Sequence, residues 1–182
     1  MSGGAPARVV IALGSNQGDR FGALRRAVSA LEALPGVSVA AVSRIFRSAP
    51  EGEGADGGEY LNAAARLLVR GIEPAPLLDA MQAIERAEGR TDRRRNAARP
   101  LDLDLLLYDD RIIEGPGFVV PHPRLHLRPF VVLPAAEVAA DALHPKLNRR
   151  LGDLCADVGR VGILGVVPFE DFEHAVGRQA SQ

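Results

Sequence analysis

Arg99-Pro100-Leu101-Asp102-Leu103-Asp104-Leu105-Leu106-Leu107 is the stretch from which the rest of the chain can be read. Leucine at alternate positions predicts a strand. The two-residue side-chain period puts Asp102 and Asp104 on one face and turns Leu101, Leu103 and Leu105 to the other. Pro100 has no N–H to give to a ladder and suits the start of such a strand. Two neighbouring carboxylates repel each other, so they are best tolerated around a cation, and hard oxygen ligands at this spacing suit Mg²⁺. Directly upstream, Arg86, Arg90, Arg93, Arg94, Arg95 and Arg99 fall within fourteen residues. Carboxylates for a metal beside guanidinium groups for phosphate oxygens form a set suited to a Mg-nucleotide. The bland alternative is a solvated sheet face next to a solvated arginine loop.

Toward the N-terminus, Arg8 to Leu13 is a short apolar run that stops at the turn Gly14-Ser15-Asn16, as a buried strand would. From Arg20 to Leu34 the residues Phe21, Leu24, Ala27, Val28, Leu31 and Leu34 recur at helical spacing, and Pro35-Gly36 ends the helix. Val37 to Phe46 reads as one alternating strand, with Val37, Val39, Ala41, Ser43 and Ile45 on the same face. Ser48 to Gly58, rich in glycine and acid, reads as a mobile loop. A strand from Glu59 to Val69 follows, then a helix opened by Pro74 and running to about Glu88, with Leu77, Leu78, Met81, Ile84 and Glu85 near one stripe. The order strand, helix, strand, strand, helix, strand implies a ferredoxin-like βαββαβ core with a mainly antiparallel sheet, extended to a three-layer α-β-α sandwich. Beyond the core, Ile112-Ile113 and Phe118 to Val120 read as short strands. Phe130 to Ala140 is a mixed apolar segment, Leu147 to Val158 a further helix over the sheet, and His174 to Gln182 a polar tail expected to fray.

Composition sets the frame for these motifs. With 182 residues, 47% of them hydrophobic, the chain can bury one good core, and one domain spanning 1–182 is expected, its motifs within about 9–145. A formal charge of −1 argues against a nucleic-acid binder. All of the 22 basic residues but Lys146 are arginine, so the clustering of arginines says more than their number. The single cysteine, Cys155, excludes an internal disulfide, fits a reducing cytoplasm and reads as a small core residue of the last helix. No stretch approaches the roughly 18 apolar residues of a membrane span, and no signal peptide is recognisable.

Five motifs, in order and at consistent spacing, carry a resemblance. They are Gly14-Ser15-Asn16 after the first strand; Tyr60-Leu61-Asn62-Ala63-Ala64; Ile84-Glu85 with Gly89-Arg90; Arg99-x-Leu101-Asp102-Leu103-Asp104; and Val120-Pro121-His122-Pro123-Arg124 followed by Arg128-x-Phe130. Together, over about Val9 to Pro145, the chain resembles the 6-hydroxymethyl-7,8-dihydropterin pyrophosphokinases of folate biosynthesis. The resemblance implies transfer of the terminal diphosphate of ATP to the hydroxymethyl group of a reduced pterin, with release of AMP. It implies two Mg²⁺ ions, held by Asp102 and Asp104, that bridge the triphosphate and orient the β-phosphorus for in-line attack. Arg90 and Arg99 join the two aspartates as catalytic residues. Gln82, Glu85, Arg93, Arg99, Leu105, His122 and Arg128 fall to ATP, with Glu85 toward the ribose and the arginines toward phosphate oxygens. His122 reaches a phosphate or the leaving group, or else only fixes its Pro-His-Pro turn.

For the pterin, the resemblance selects Tyr60 and Phe130 as stacking rings on opposite sides of the heterocycle, with Asn62, Ser48, Ala49 and Asp102 around it. Asn62 shares the strand face of Tyr60 and can both donate and accept, as a pterin edge demands. The loops on either side imply that MgATP binds first and completes the pterin pocket. The expected partners are thus ATP and pterin, with no nucleic acid and no membrane, in a cytoplasmic monomer. Two departures stand out. Where the family usually has Trp-Gly-Pro-Arg, this chain has Asn96-Ala97-Ala98-Arg99, and Ala49 and Glu51 stand where the first loop more often carries proline and leucine. These predict a working enzyme with a weakened lid, slower to close or lower in affinity. The alternative is an impaired relative that serves as a nucleotide- or RNA-binding module. Against it stand the aspartates on the sheet face where a row of aromatics would be needed.

Overall fold

The computed structural model describes residues 4–50, 58–89 and 99–169. Strand β1 (Ala7–Ser15) leads into helix α1 (Arg20–Glu32), whose first turn is capped by the Asp19 carboxylate accepting from the Gly22 N–H at 3.0 Å. Strands β2 (Val37–Val42), β3 (Ile45–Ser48) and β4 (Tyr60–Val69) follow, then helix α2 (Pro74–Ala87) with proline at its first position. Strand β5 (Asp102–Tyr108) completes the core. The main sheet runs β10-β3-β4-β1-β5, with every pairing antiparallel and β2 lying end to end with β3 along the same edge of β4. This is the split βαβ order that the element sequence implies, and the sheet is covered on both faces as expected.

Two clusters fill the two faces. On one, Leu24, Val28 and Leu31 of α1 and Leu77, Met81 and Ile84 of α2 pack onto Ile11, Leu13, Ala65, Leu67, Leu103 and Leu105. On the other, Val10, Ala64, Leu106 and Leu107 meet the later helices. Leucine parity along β5 is broken by a bulge. Ile11 pairs with Leu105 but Val10 with Leu107, so Leu106 and Leu107 both join the second cluster and Tyr108 returns to the first. Ahead of the bulge the alternation holds as read, with Leu101, Leu103 and Leu105 inward on the α1–α2 side.

The stretch read as one strand from Val37 to Phe46 is two. Ser43 interrupts it: its hydroxyl accepts the Ala64 N–H at 2.9 Å and donates to the Arg44 carbonyl at 2.7 Å. Arg44 is in turn held by Glu137, which takes both its backbone N–H and its guanidinium. A register shift between Val39 and Ala41 also moves Ala41 to the second cluster, away from Val37, Val39 and Ile45. Because Ser43 alone satisfies the buried Ala64 N–H, Ser43→Ala is expected to destabilise the fold by about 1–3 kcal/mol with an unchanged denaturant slope. An unaltered urea midpoint would contradict this account of the break.

After β5 come a hairpin, β6 (Ile113–Gly115) with β7 (Phe118–Val120), and a short 3-10 turn at Leu125–Leu127. Helix α3 (Pro129–Ala139) is the segment left undefined by sequence, where Pro129 and the internal Pro134 obscure the helical period. The helix expected from Leu147 is shorter. A hairpin, β8 (Leu143–His144) with β9 (Arg149–Arg150), comes first, turning at Asn148 with φ 52, and helix α4 spans only Leu151–Val158. It packs on α3 and only Leu151 and Leu154 of it are buried, with Cys155 half-buried against the same cluster. Strand β10 (Ile163–Val167), not expected from sequence, adds an edge beside β3. Among the described residues no helix is long and apolar enough to cross a membrane.

Candidate active site

A cleft of about 770 Å³ opens on the α3 face of the sheet, where β4, β1 and β5 present Asn62, Ala12, Gly14, Asp102 and Asp104. Its walls come from outside that face. α2 reaches around the open edge of β5 with Leu78, Gln82, Glu85 and Arg86, the β6–β7 hairpin brings Phe118 and Val119, and the start of α3 brings Phe130 behind His122, Arg124 and Arg128. Every expected site residue among the described ones lines this cleft: Ser48, Ala49, Tyr60, Asn62, Gln82, Glu85, Arg99, Asp102, Asp104, Leu105, His122, Arg128 and Phe130. Arg90 and Arg93, with Glu51 and the stretch Asn96-Ala97-Ala98, lie outside the described residues, as do most of the Ser48 to Gly58 loop and the tail from His174.

The carboxylate pair is anchored from several directions. Ala12 pairs with Asp104 and Leu13 with Leu103, so β1 fixes the backbone beneath both aspartates. From below, the carboxylate of Glu85, only 5% exposed, accepts the Leu103 N–H at 2.7 Å and ties α2 to the residue between them. Leu105 packs its side chain into the first core cluster, away from the aspartate face. Arg99 enters on a two-way clasp with the end of β1: its N–H donates to Asn16 Oδ1 at 2.7 Å, and its carbonyl accepts from the Asn16 N–H at 3.1 Å. That clasp explains why Gly14-Ser15-Asn16 and Arg99 belong to one site. It places the Arg99 guanidinium 2.9 Å from Asp102 Oδ2, neutralising half of the pair.

Among the described residues no cluster of three or more His, Cys, Asp or Glu gathers. Mg²⁺ does not need one, because it keeps waters and substrate phosphates and uses one or two carboxylates. Two half-buried carboxylates two residues apart on one strand face, next to a guanidinium, fit that donor set.

Asn62 is 5% exposed, and its amide has one possible orientation. Nδ2 donates to the Phe46 carbonyl at 3.1 Å and to Ser48 Oγ at 2.9 Å; a carbonyl can only accept, so the nitrogen must face β3 and Oδ1 faces β1. Ser48 thereby keeps its own proton to donate, whereas the Ala49 N–H is already committed to the Gly162 carbonyl at 2.9 Å. Tyr60 begins β4 beside Glu59, which Arg47 grips through both carboxylate oxygens at 3.0 and 2.8 Å. Arg128 lies over the Phe130 ring, 5.5 Å from its centroid, so one face of that ring is covered.

His122 holds its turn in place and stands beside the cleft. Its backbone N–H donates to the Leu106 carbonyl at 3.0 Å and its Nδ1 accepts the Arg124 N–H at 3.2 Å, which fixes the turn; the ring also borders the cleft. With Nδ1 accepting, the neutral ring carries its proton on Nε2 and is a donor. Burial pushes its pKa down to about 4, and the positive charges of Arg128 and Arg124 act in the same direction. Between about pH 6.5 and 4 the unfolded chain therefore binds a proton that the folded chain refuses, so stability falls as pH drops through that window. His144, also lowered by burial, contributes in the same sense. Urea midpoints at pH 7.5 and 5 should show a smaller acid loss in His122→Gln than in the parent; an equal loss would contradict the neutral assignment.

The two short strands read at Ile112-Ile113 and Phe118 to Val120 are present as β6 and β7, but their pairing into a wall of the cleft was not foreseen. The signal was present in Gly115-Pro116-Gly117 between apolar pairs, a turn with Gly117 at φ 79, and a Cβ at Gly115 would come within 2.3 Å of the Phe118 ring. Arg86, one of the six clustered arginines, borders the cleft, and so does Leu78, which was read only as part of the apolar stripe of α2.

Comparison with known proteins bears on this geometry. Residues 10–140 match the family described as 7,8-dihydro-6-hydroxymethylpterin-pyrophosphokinase. The chain is 37% identical over 170 residues to the 2-amino-4-hydroxy-6-hydroxymethyldihydropteridine pyrophosphokinase of Pseudomonas aeruginosa, covering 93% of this chain and 98% of that one. It is 42% identical over 128 residues to the protein of the same name from Bacillus subtilis, covering 70% and 75%. Among solved structures it is similar to Plasmodium falciparum HPPK-DHPS wild type with STZ-DHP, with a TM-score of 0.67 at 14% identity over 86% of this chain. The match takes in 44% of that longer chain, and at such identity it speaks for the fold alone.

Proposed function

The chain belongs to the 7,8-dihydro-6-hydroxymethylpterin-pyrophosphokinase family, and from that premise we propose how its cleft transfers diphosphate from ATP to hydroxymethyldihydropterin in folate synthesis. Asp102 and Asp104 would hold Mg²⁺ beside the triphosphate, and AMP would be the leaving product. The observation that carries this reading is the placement of Asn62, a buried hydrogen-bonding group suited to a heterocycle edge, on the same sheet face as the carboxylate pair with only β1 between them. Such a site brings an acceptor alcohol to a nucleotide phosphate without requiring a nucleophilic side chain.

Each residue then has a physical task. Arg99 and Arg128 offer forked donors to phosphate oxygens, where charge builds in the transition state. The neutral Nε2–H of His122 donates to a phosphate oxygen without adding a full charge beside the arginines. Gln82 and Glu85 stand on the nucleotide side, and Glu85 also holds the Leu103 backbone, so it positions the aspartates as well as bordering the ribose. Mg²⁺, when bound, neutralises the triphosphate and orients the β-phosphorus. On the other side Tyr60 and Phe130 stack the pterin, and Asn62 and Ser48 hydrogen-bond its edge. Nucleotide binding draws Arg128 toward phosphate and uncovers the Phe130 ring, which favours nucleotide before pterin.

The test is calorimetric. A non-hydrolysable ATP analogue should bind far more weakly when EDTA replaces Mg²⁺, and pterin should bind more tightly once the analogue and Mg²⁺ are present. Metal-independent nucleotide affinity would overturn the role given to the aspartates, and equal pterin affinity with and without analogue would overturn the order.

A further inference from the structure

The sheet face that carries the cleft holds a second cavity further along. Past the row of Ala64, Ala12 and Asp104, the next row across the sheet is Ala41, Arg66, Val10 and Leu107. Three of these belong to the second apolar cluster, and the fourth is an arginine on a central strand. Over this row opens a cavity of about 470 Å³, walled by Ala139, Asp141, Ala142 and Leu143 at the end of α3 and the start of β8; no described residue lines both it and the cleft. Arg66 is half-buried between the fully buried Ala65 and Leu67. Arg8, Arg26, Arg44 and Arg47 each grip a carboxylate, but among the described residues the Arg66 side chain has neither a hydrogen bond nor an ion pair. A guanidinium held over an apolar floor without an anion is costly, and an uncharged side chain would cover Val10 and Ala41 as well. The opposite end of the cavity is negative, with Asp109 and Asp110 on its rim just past β5. Asp109, at φ 47, is fixed by two bonds: its Oδ1 accepts the Arg8 N–H at 2.7 Å, and its own N–H donates to the Arg8 carbonyl at 2.8 Å. The Arg8 guanidinium is spent on Asp141 at 3.1 Å. That leaves the Arg66 cation at one end and, at the other, the Asp110 carboxylate, which also has no partner among the described residues.

We propose that this cavity binds a small amphoteric molecule, with its carboxylate on Arg66, its amine on Asp110 and its hydrocarbon over Val10 and Leu107. The guanidinium takes the carboxylate through a forked pair of hydrogen bonds. Two strand spacings, about 10 Å between backbones, separate β4 from β5, so the amine belongs at the far end of a short chain and not beside the carboxylate. A plain anion would meet Asp109, Asp110 and Asp141, and a plain cation would meet Arg66. Only a molecule that carries both charges suits both ends, which makes the site selective by repulsion as well as by attraction.

The experiment titrates 6-aminohexanoate into the full chain and follows the backbone amide chemical shifts, beside hexanoate and pentylamine as probes with one charge each. Saturable shifts at Val10, Arg66 and Leu107, with Asn62 and Asp104 in the cleft unmoved, are the expected result. Hexanoate and pentylamine should each bind roughly tenfold more weakly or worse. Arg66→Met should lose about tenfold or more in affinity for 6-aminohexanoate and melt no lower than the parent, and Asp110→Asn should also weaken binding. The absence of saturable shifts, shifts confined to the cleft, or hexanoate binding as tightly as 6-aminohexanoate would each overturn the proposal. So would a lower melting temperature in Arg66→Met, because the guanidinium would then be serving the fold and not a ligand.

Discussion

Replacing either aspartate, in Asp102→Ala or Asp104→Ala, is expected to lower kcat by about 10³-fold or more, equivalent to about 4 kcal/mol of transition-state stabilisation. Each substitution removes one of the two carboxylates that the cleft offers to a metal, and with no third acidic or imidazole ligand gathered among the described residues nothing nearby can substitute. The fold should survive. β5 is held by pairing to β1 and by Glu85 at Leu103, and its buried contacts are made by leucines facing away from the aspartates. Removing one of two neighbouring anions also relieves repulsion, so the urea midpoint should move by less than about 1 kcal/mol in stability. The two variants should differ in detail. Asp102 is paired with Arg99 at 2.9 Å, so Asp102→Ala also releases a guanidinium and should disturb nucleotide affinity more than Asp104→Ala does. Steady-state rates beside denaturation curves separate these effects, and a variant retaining a tenth of parental kcat would contradict the metal role.

Asn62→Leu is expected to cost more than 10²-fold in kcat/KM for the pterin, because a site built to hydrogen-bond an edge rejects a ligand it can no longer satisfy. Leucine matches asparagine in shape but cannot bond. It leaves the Phe46 carbonyl and the Ser48 hydroxyl without their partner inside the protein, so a stability loss of about 1–3 kcal/mol should accompany the kinetic one. Nucleotide affinity should hardly change, since Asn62 lies toward β3 while Gln82 and Glu85, the residues proposed for the nucleotide, come from α2 beyond β5. A loss shared equally between pterin and nucleotide would mean that Asn62 acts on the sheet and not on the ligand.

The chain order of the core was legible because each of its elements announces itself locally. Leucine alternation marks β5, the stripe of Leu24, Val28 and Leu31 marks α1, and proline opens α2. What escaped was governed by single side chains or by distant partners. Ser43 breaks a strand by hydrogen-bonding Ala64, twenty-one residues away, and no period reveals that. The bulge in β5 and the shift at Val39 each flip a face with one residue. Proline inside α3 hides a helix that tertiary packing nevertheless sustains, and β10 is a five-residue edge whose apolar, β-branched run is interrupted by Gly165.

Legibility of the site followed the same rule. The family resemblance that the five motifs carry led to thirteen described positions that converge on one cleft. Their connections were invisible: the Asn16–Arg99 clasp, the bond from Leu103 to Glu85, and the stacking of Arg128 on Phe130 join segments up to 83 residues apart.

The most direct measurement is to follow the nucleotide product when the purified chain is given ATP, Mg²⁺ and 6-hydroxymethyl-7,8-dihydropterin. Pterin-dependent release of AMP, absent without Mg²⁺ and absent in Asp102→Ala and Asp104→Ala, is the expected result. ADP as the product, or AMP that forms at the parental rate in the aspartate variants, would contradict diphosphate transfer at this carboxylate pair.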